Sequence, residues 1–340
     1  MLIMKHQLVN ENIISEVRKD NCFDFLRYFF ASLLIISHFC ILTDIEIPVF
    51  IIGSMRVKAF FVITGFLVAY SFVRGNYDIK SYARKRFARI VPAYVVAILF
   101  CVVLGAVMSS QSLGEFFTDG QTWRYTLYNM LMLNWVEPCL PGVFESNFLP
   151  QMDGSLWTMK MECLFYVAVP MVIWLMRRLG KHVVALPVVV ACLCLYNWMT
   201  KNSMFSTYFV SGMVLLLYLD WLVKYKHVLA VVALVSEVLL YSDVFPVLYP
   251  VVNALEPLTY AWLIVYIAYN VKSLNFMRRY DNITYGLFLY HWPVIQALIA
   301  LGLPDYSMAL CFATAVVATA VLAWLSWHFI EQPLMLLSKK

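Results

Sequence analysis

FDFLRYFFASLLIISH, residues 23–38, decides the fold. It is mostly apolar, and with the residues after it the run is long enough to cross a bilayer, which takes about 20 residues. It nevertheless carries Asp24 and Arg27 near its start and His38 towards its end. An ionisable group inside a span costs roughly 2.5–3.5 kcal/mol on insertion scales, so each of the three is a functional candidate by default. Arg27 and His38 stand eleven residues apart. At about 100° per residue that is about 20° from a whole number of turns, so they share a face, about 16 Å apart along the axis. Asp24 precedes Arg27 by three and joins that face. The plain alternative for Asp24 and Arg27 is snorkelling at the interface. His38, four residues inside the outer end of the span, is not explained that way.

The rest of the chain matches this opening. Its 340 residues are 63% hydrophobic and 13% charged, with a mean hydropathy of +0.77, which excludes an ordinary soluble domain. Ten spans are expected, at 22–42, 50–72, 90–108, 155–176, 183–200, 204–222, 227–242, 257–271, 283–302 and 307–329. A further apolar piece, 123–136, is too broken for a span and reads as interfacial or re-entrant. The expected class is therefore all-α, a polytopic membrane helix bundle of about ten helices. It forms one domain over 1–340, with a short N-terminal segment at 1–21, an outer loop region at 109–154 and no appended soluble domain. Residues 5–20 lack the shape of a cleavable signal, so the first span is expected to be retained. The eight cysteines lie mostly inside apolar runs. They imply no disulfide framework, and Cys192 and Cys194 read as membrane filler rather than a metal site.

Lysine and arginine placement orients the bundle. With both termini in the cytoplasm, most of the 25 basic residues fall inside, among them Arg74, Arg84, Arg177, Arg178 and Arg278. Acids such as Asp44, Glu115, Glu145 and Asp305 fall outside. The net charge of +5 then reflects topology and gives no reason to invoke nucleic acid.

Four further features carry chemistry. In GSLWTMKMECLFYVAVP, residues 154–170, Glu162 lies about 10 Å deep from the outer side, close to the depth of His38. A buried carboxylate beside an imidazole fixes its tautomer and raises its basicity, as a general base requires. The plain alternative is a structural Glu162 paired with Lys160. In SYARKRFARIVPAY, residues 81–94, Arg86 and Arg89 are three apart on one helix face, a spacing that grips a polyphosphate. Taken alone, they read more simply as topology signals. In YGLFLYHWPV, residues 285–294, His291 lies well inside a span, where it either hydrogen-bonds within the bundle or joins a site. Glu237 and Glu331 make weaker cases.

Taken together and in order, these pieces resemble the acyltransferase 3 family of bacterial polytopic membrane acyltransferases, over nearly the whole chain. Arg27, ten residues and then His38 look like its first-helix pattern. AFFVITGFLVAY matches its FF-x-x-S-G-F-L signature, with Thr64 where serine is usual. RKRFARIVPAY matches R-x-x-R-I-x-P through Arg86, Arg89 and Pro92, and GSLWTMKMECLFY matches G-S-L-W-T-x-x-x-E through Glu162. YGLFLYHWPV and FIEQPL match its two C-terminal marks. Cys163 and Leu164 stand where many members carry Glu and Gln, so a second acid has no role here.

The resemblance implies transfer of an acyl group, most often acetyl, from cytoplasmic acyl-CoA to a hydroxyl of a surface glycan or its lipid-linked precursor. The protein would sit in the bacterial inner membrane. Acyl-CoA would be a co-substrate and no cofactor would be tightly bound. His38 is the expected base, oriented by Glu162, with a covalent acyl-histidine as the open variant. Arg27, Arg86 and Arg89 are expected to take the donor phosphates, with Asp24, His291 and Lys160 as possible additions. Two rival classes remain at this point: a transporter or flippase for a lipid-linked sugar, and a polyprenyl-phosphate glycosyltransferase.

Overall fold

The computed structural model describes residues 8–9, 21–46, 55–198, 205–242 and 246–338. The expected N-terminal segment lies almost wholly outside the described residues, as do the side chains of Cys192 and Cys194. Every regular element among the described residues is helical. In chain order the helices begin with α1 (Phe23–Leu42), α2 (Met55–Arg74), α3 (Ile79–Met108), α4 (Leu113–Thr118) and α5 (Gly120–Met130). They continue with α6 (Trp157–Leu179), α7 (Lys181–Trp198), α8 (Phe205–Leu217), α9 (Leu219–Lys224) and α10 (Lys226–Tyr241). The last are α11 (Tyr249–Asn270), α12 (Thr284–Ala300), α13 (Leu303–Tyr306), α14 (Met308–Ser326) and α15 (Gln332–Leu337).

Each of the ten expected spans holds helix, but among the described residues six helices, α1, α2, α3, α6, α11 and the run from α14 through α15, are long and apolar enough to cross a membrane unaided. A seventh is added if the 3₁₀ turn Lys272–Arg279 and α12, bent by 75°, count as one span. The departures have physical causes. The sixth expected span is broken at Tyr218 into α8 and α9. Helix α10, with 16 residues, reaches about 24 Å at 1.5 Å per residue, short of a hydrocarbon core about 30 Å thick. Helix α3 begins at Ile79 rather than near residue 90, because its arginine-rich first turns are helical without being apolar. The piece at 123–136 is the amphipathic α5 followed by turns. Thr122, Tyr125 and Asn129 are buried, while Trp123 and Leu127 face outward.

Contacts divide the chain into two compact units: Met1–Phe30, Ser54–Tyr82 and Leu164–Tyr280 in the first, Ala31–Gly53, Ala83–Cys163 and Asp281–Lys340 in the second. Helices α1, α3 and α6 pass from one to the other. In the first unit, α2 packs on α8 at backbone distance. A Cβ on Gly65 would strike the Phe209 carbonyl, and one on Gly212 would strike that of Val62. Small residues at such crossings replace the hydrophobic effect, which is missing between helices in lipid. Phe61, Phe165, Phe205 and Phe209 stack around the crossing. Lys58 pairs with Glu256 at 2.9 Å, and the Tyr208 hydroxyl donates to the other Glu256 oxygen. That arrangement satisfies a buried charge pair that would otherwise be costly.

In the second unit Phe39, Leu42, Trp292, Ile295, Cys311 and Ala315 form a core from α1, α12 and α14. The Tyr94 hydroxyl donates to the Asn129 carbonyl at 2.9 Å and ties α5 to α3. The Tyr285 hydroxyl donates to the Ile90 carbonyl at 3.2 Å and ties α12 to the turn of α3 that carries Arg89.

Candidate active site

Helix α1 delivers His38 and α12 delivers His291, and the second unit brings the two rings together. His38 Nδ1 lies 2.6 Å from His291 Nε2, with the rings stacked at 4.9 Å and 16°. The other nitrogen of His291, Nδ1, faces the carbonyl oxygens of Phe288 at 2.8 Å and Leu287 at 3.1 Å. A carbonyl only accepts, so His291 Nδ1 carries the proton. In neutral His291 the Nε2 lone pair then accepts from His38 Nδ1–H. That leaves the basic lone pair of His38 on Nε2. One proton sits between the rings, so the pair holds at most one positive charge.

The surroundings fix the pair. His291 is 0% exposed. Trp292 meets the His38 ring edge-on at 5.0 Å and donates from Nε1 to the Gln151 carbonyl at 3.2 Å. One turn further along α12, Gln296 is buried and donates to the carbonyls of Leu149 and Gln151. Its own side-chain oxygen accepts from Asn147 Nδ2 at 2.8 Å. Residues 147–151 are thus strapped onto the helix that carries His291. Ser155 closes the strap, donating from Oγ to Asp153 Oδ1 at 2.6 Å and from its backbone N–H to the same oxygen at 2.9 Å.

Asp153 Oδ2 is buried without a hydrogen-bond partner. Burial pushes this carboxyl up to about 7, against the pull of the Ser155 hydrogen bonds. An aspartate in an unfolded chain titrates near about 4. Between those values the folded protein keeps a proton that the unfolded chain has lost. Stability therefore falls as pH rises from about 4 to about 7 and levels off above. The thermal midpoint of the detergent-solubilised protein should drop across that window, and Asp153→Asn should flatten that part of the slope. Equal slopes for the two proteins would contradict the assignment.

The remaining expected residues are placed as follows. Asp24 and Arg27 pair at 3.5 Å in the first turns of α1, where an acid also suits the helix N-terminus. Glu162 is half-buried in α6. Lys160, expected as a possible partner for it, stands over the Trp135 ring at 5.4 Å. Arg86 and Arg89 are half-buried in α3 just before Pro92. The ring stacked on His38 is that of His291, a residue the sequence offered only as a possible addition to the site. Sequence reasoning missed Asn147 and Gln296. A glutamine in the middle of an apolar span was the available signal. Among the described residues no group of three or more His, Cys, Asp or Glu side chains is gathered as a metal would need.

Comparison with known proteins adds the chemistry. The family model described as an acyltransferase domain matches residues 20–328. The chain belongs to the acyltransferase 3 family. Nodulation protein 10 of Rhizobium leguminosarum bv. viciae is 29% identical over 93% of each chain. The O-acetyl transferase of Shigella phage Sf6 is 26% identical over 93% of this chain and 96% of its own. The putative peptidoglycan O-acetyltransferase YrhL of Bacillus subtilis is 23% identical over 83% of this chain and half of its own. No solved structure matches the chain. The protein is accordingly a multi-pass membrane acyltransferase with O-acetyltransferase relatives.

Proposed function

We propose that this acyltransferase moves an acetyl group from cytoplasmic acetyl-CoA to a hydroxyl of a cell-surface glycan or its lipid-linked precursor in the bacterial inner membrane. The observation that carries the reading is the His38–His291 pair, whose carbonyl-anchored tautomer leaves a basic nitrogen on His38. An acceptor hydroxyl is a weak nucleophile near neutral pH, so a base must remove its proton as it attacks. His38 Nε2 takes that proton while the hydroxyl oxygen bonds to the thioester carbonyl. Collapse of the tetrahedral intermediate expels the CoA thiolate, and His38 returns the proton to it. The CoA thiol and the new ester leave the enzyme unchanged. His291 orients the base and shares its positive charge in the transition state, and Glu162 adds a negative charge from α6.

Arg86 and Arg89 are the donor clamp in this reading, each offering a planar fork of donors to phosphate. Replacing both by lysine keeps the positive charge that sets topology but loses the fork. Each charge-assisted hydrogen bond lost is worth about 1.5–3 kcal/mol, so the apparent KM for acetyl-CoA should rise about tenfold or more. Unaltered donor saturation in that double variant would reduce the arginines to topology signals.

The test of the whole reading is purified protein with radiolabelled acetyl-CoA and lipid-linked glycan from the native host. Label in the glycan with stoichiometric release of CoA thiol is the expected result. Glycan movement across vesicles without thiol release would instead favour a transporter.

A further inference from the structure

Two stretches that stand out in the sequence, GSLW at 154–157 and YHWP at 290–293, meet in the structure through Gly154 and Trp292. Gly154 opens the 3₁₀ turn Gly154–Leu156. A Cβ placed on it would stand 2.5 Å from Trp292 Cζ2 and 2.8 Å from Cη2, where carbon atoms in contact keep about 3.5–4.0 Å. The backbone at 154 therefore approaches the indole as only glycine allows.

The same indole is held from a second direction. Its Nε1–H donates to the Gln151 carbonyl at 3.2 Å, and the Gln296 side-chain amide donates to that same oxygen at 2.7 Å. Trp292 and Gln296 are four apart on α12, so they lie one above the other on one face. One carbonyl thus gathers two donors and uses both of its lone pairs. Gln296 is fixed in turn, because its side-chain oxygen accepts from Asn147 Nδ2 at 2.8 Å. Trp292, Gln296 and Asn147 are all buried, so water does not compete for these bonds.

The indole reaches the His38 ring at 5.0 Å between centroids and 75° between planes. The preceding residue, His291, meets the same imidazole nearly in parallel, at 16°. Consecutive residues of α12 therefore bound His38 in two nearly perpendicular planes. His291 occupies Nδ1, while Trp292 limits rotation of the ring. That rotation matters because the Nε2 lone pair lies in the ring plane, and a hydrogen bond weakens steeply away from its axis.

We propose that Trp292 is a positioning residue for the base: wedged between Gly154 and the Gln151 carbonyl, its indole sets the plane of the His38 ring and so aims Nε2 at the acceptor hydroxyl. The proposal rests on the reading of His38 as the base. It gives the 147–154 segment a part in catalysis without contact with the reacting atoms.

The test is kcat and the apparent acetyl-CoA KM of full-length variants in detergent, normalised to folded protein and followed with radiolabelled donor. Trp292→Phe keeps an aromatic ring beside His38 but lacks the N–H and the second ring that meets Gly154. It should lower kcat about tenfold, as a small misplacement of a reacting group does, with the donor KM within about twofold. Gly154→Ala should cost about as much, by pushing the indole aside. In the double variant the new Cβ has no indole to strike. The Gln151 side-chain oxygen, also 2.5 Å from that Cβ, is the far end of a flexible chain and swings clear. The double variant should therefore be no slower than Trp292→Phe alone. In a His38→Ala background Trp292→Phe should leave the residual rate unchanged, since no base is left to aim. Trp292→Phe in these two backgrounds decides the matter if Gly154→Ala fails to accumulate.

A purely structural wedge would lower yield and thermal midpoint while kcat per folded molecule stayed normal. That result, or a further loss when Trp292→Phe is added to His38→Ala, would overturn the proposal and leave His38 as the base. Full activity in His38→Ala would remove the base first and this proposal with it.

Discussion

Replacing His38 with alanine should abolish acyl transfer while the protein still inserts and accumulates in the membrane. A positioned general base contributes about 10²–10⁴-fold. His291 faces His38 through Nε2, and its Nδ1 is committed to the Leu287 and Phe288 carbonyls. Its lone pair therefore points at a ring that alanine removes, not at an incoming hydroxyl. Helix α1 should survive the change, since its core contacts are made by Phe39, Leu42 and their neighbours. The measurement is CoA-thiol release together with glycan acylation, normalised to the membrane-inserted protein. Added imidazole should restore a small fraction of the rate if the lost group is a base. Near-normal acylation would end the proposal outright. Normal thiol release with no acylated glycan would instead mean that His38 serves the acceptor and not the thioester.

The sequence disclosed the parts of this site better than their pairing. The all-helical membrane class was legible because lipid demands long apolar runs, though only six of the ten expected spans are matched by helices long and apolar enough to cross unaided among the described residues. Expected depth suggested Glu162 as the group that orients His38, because the acids and bases of a bundle can be ranked along their helix axes from sequence. Which helices are neighbours, and which way each faces, depends on packing between segments far apart in the chain. His291 comes from a helix 253 positions away, and nothing local in YGLFLYHWPV says that its ring meets α1. The π-turn at Trp327–Glu331 was not legible for a different reason: it alters the helical period for a single turn and leaves no mark in the composition. The break between α8 and α9 at Tyr218 was likewise invisible, since apolar residues continue through it.

The second large effect concerns His291, and it separates an orienting ring from a second base. His291→Phe keeps the shape of the ring and its contact with Phe288 but offers His38 Nδ1 no acceptor. His38 is then free to place its proton on either nitrogen, and only the tautomer with the lone pair on Nε2 can act on the hydroxyl. The positive charge that forms on His38 also loses the partner that shares it, in surroundings where such charge is poorly screened. The expected loss in kcat is about 10²-fold or more, with the apparent donor KM nearly unchanged because the arginines of α3 are untouched. Combining His291→Phe with His38→Ala should cost no more than His38→Ala alone, since an orienting group has nothing left to orient. A further drop in the double variant would mean that His291 contacts the reacting atoms itself. Full activity in His291→Phe would show that the 2.6 Å contact is packing alone, and would return the orienting role to Glu162.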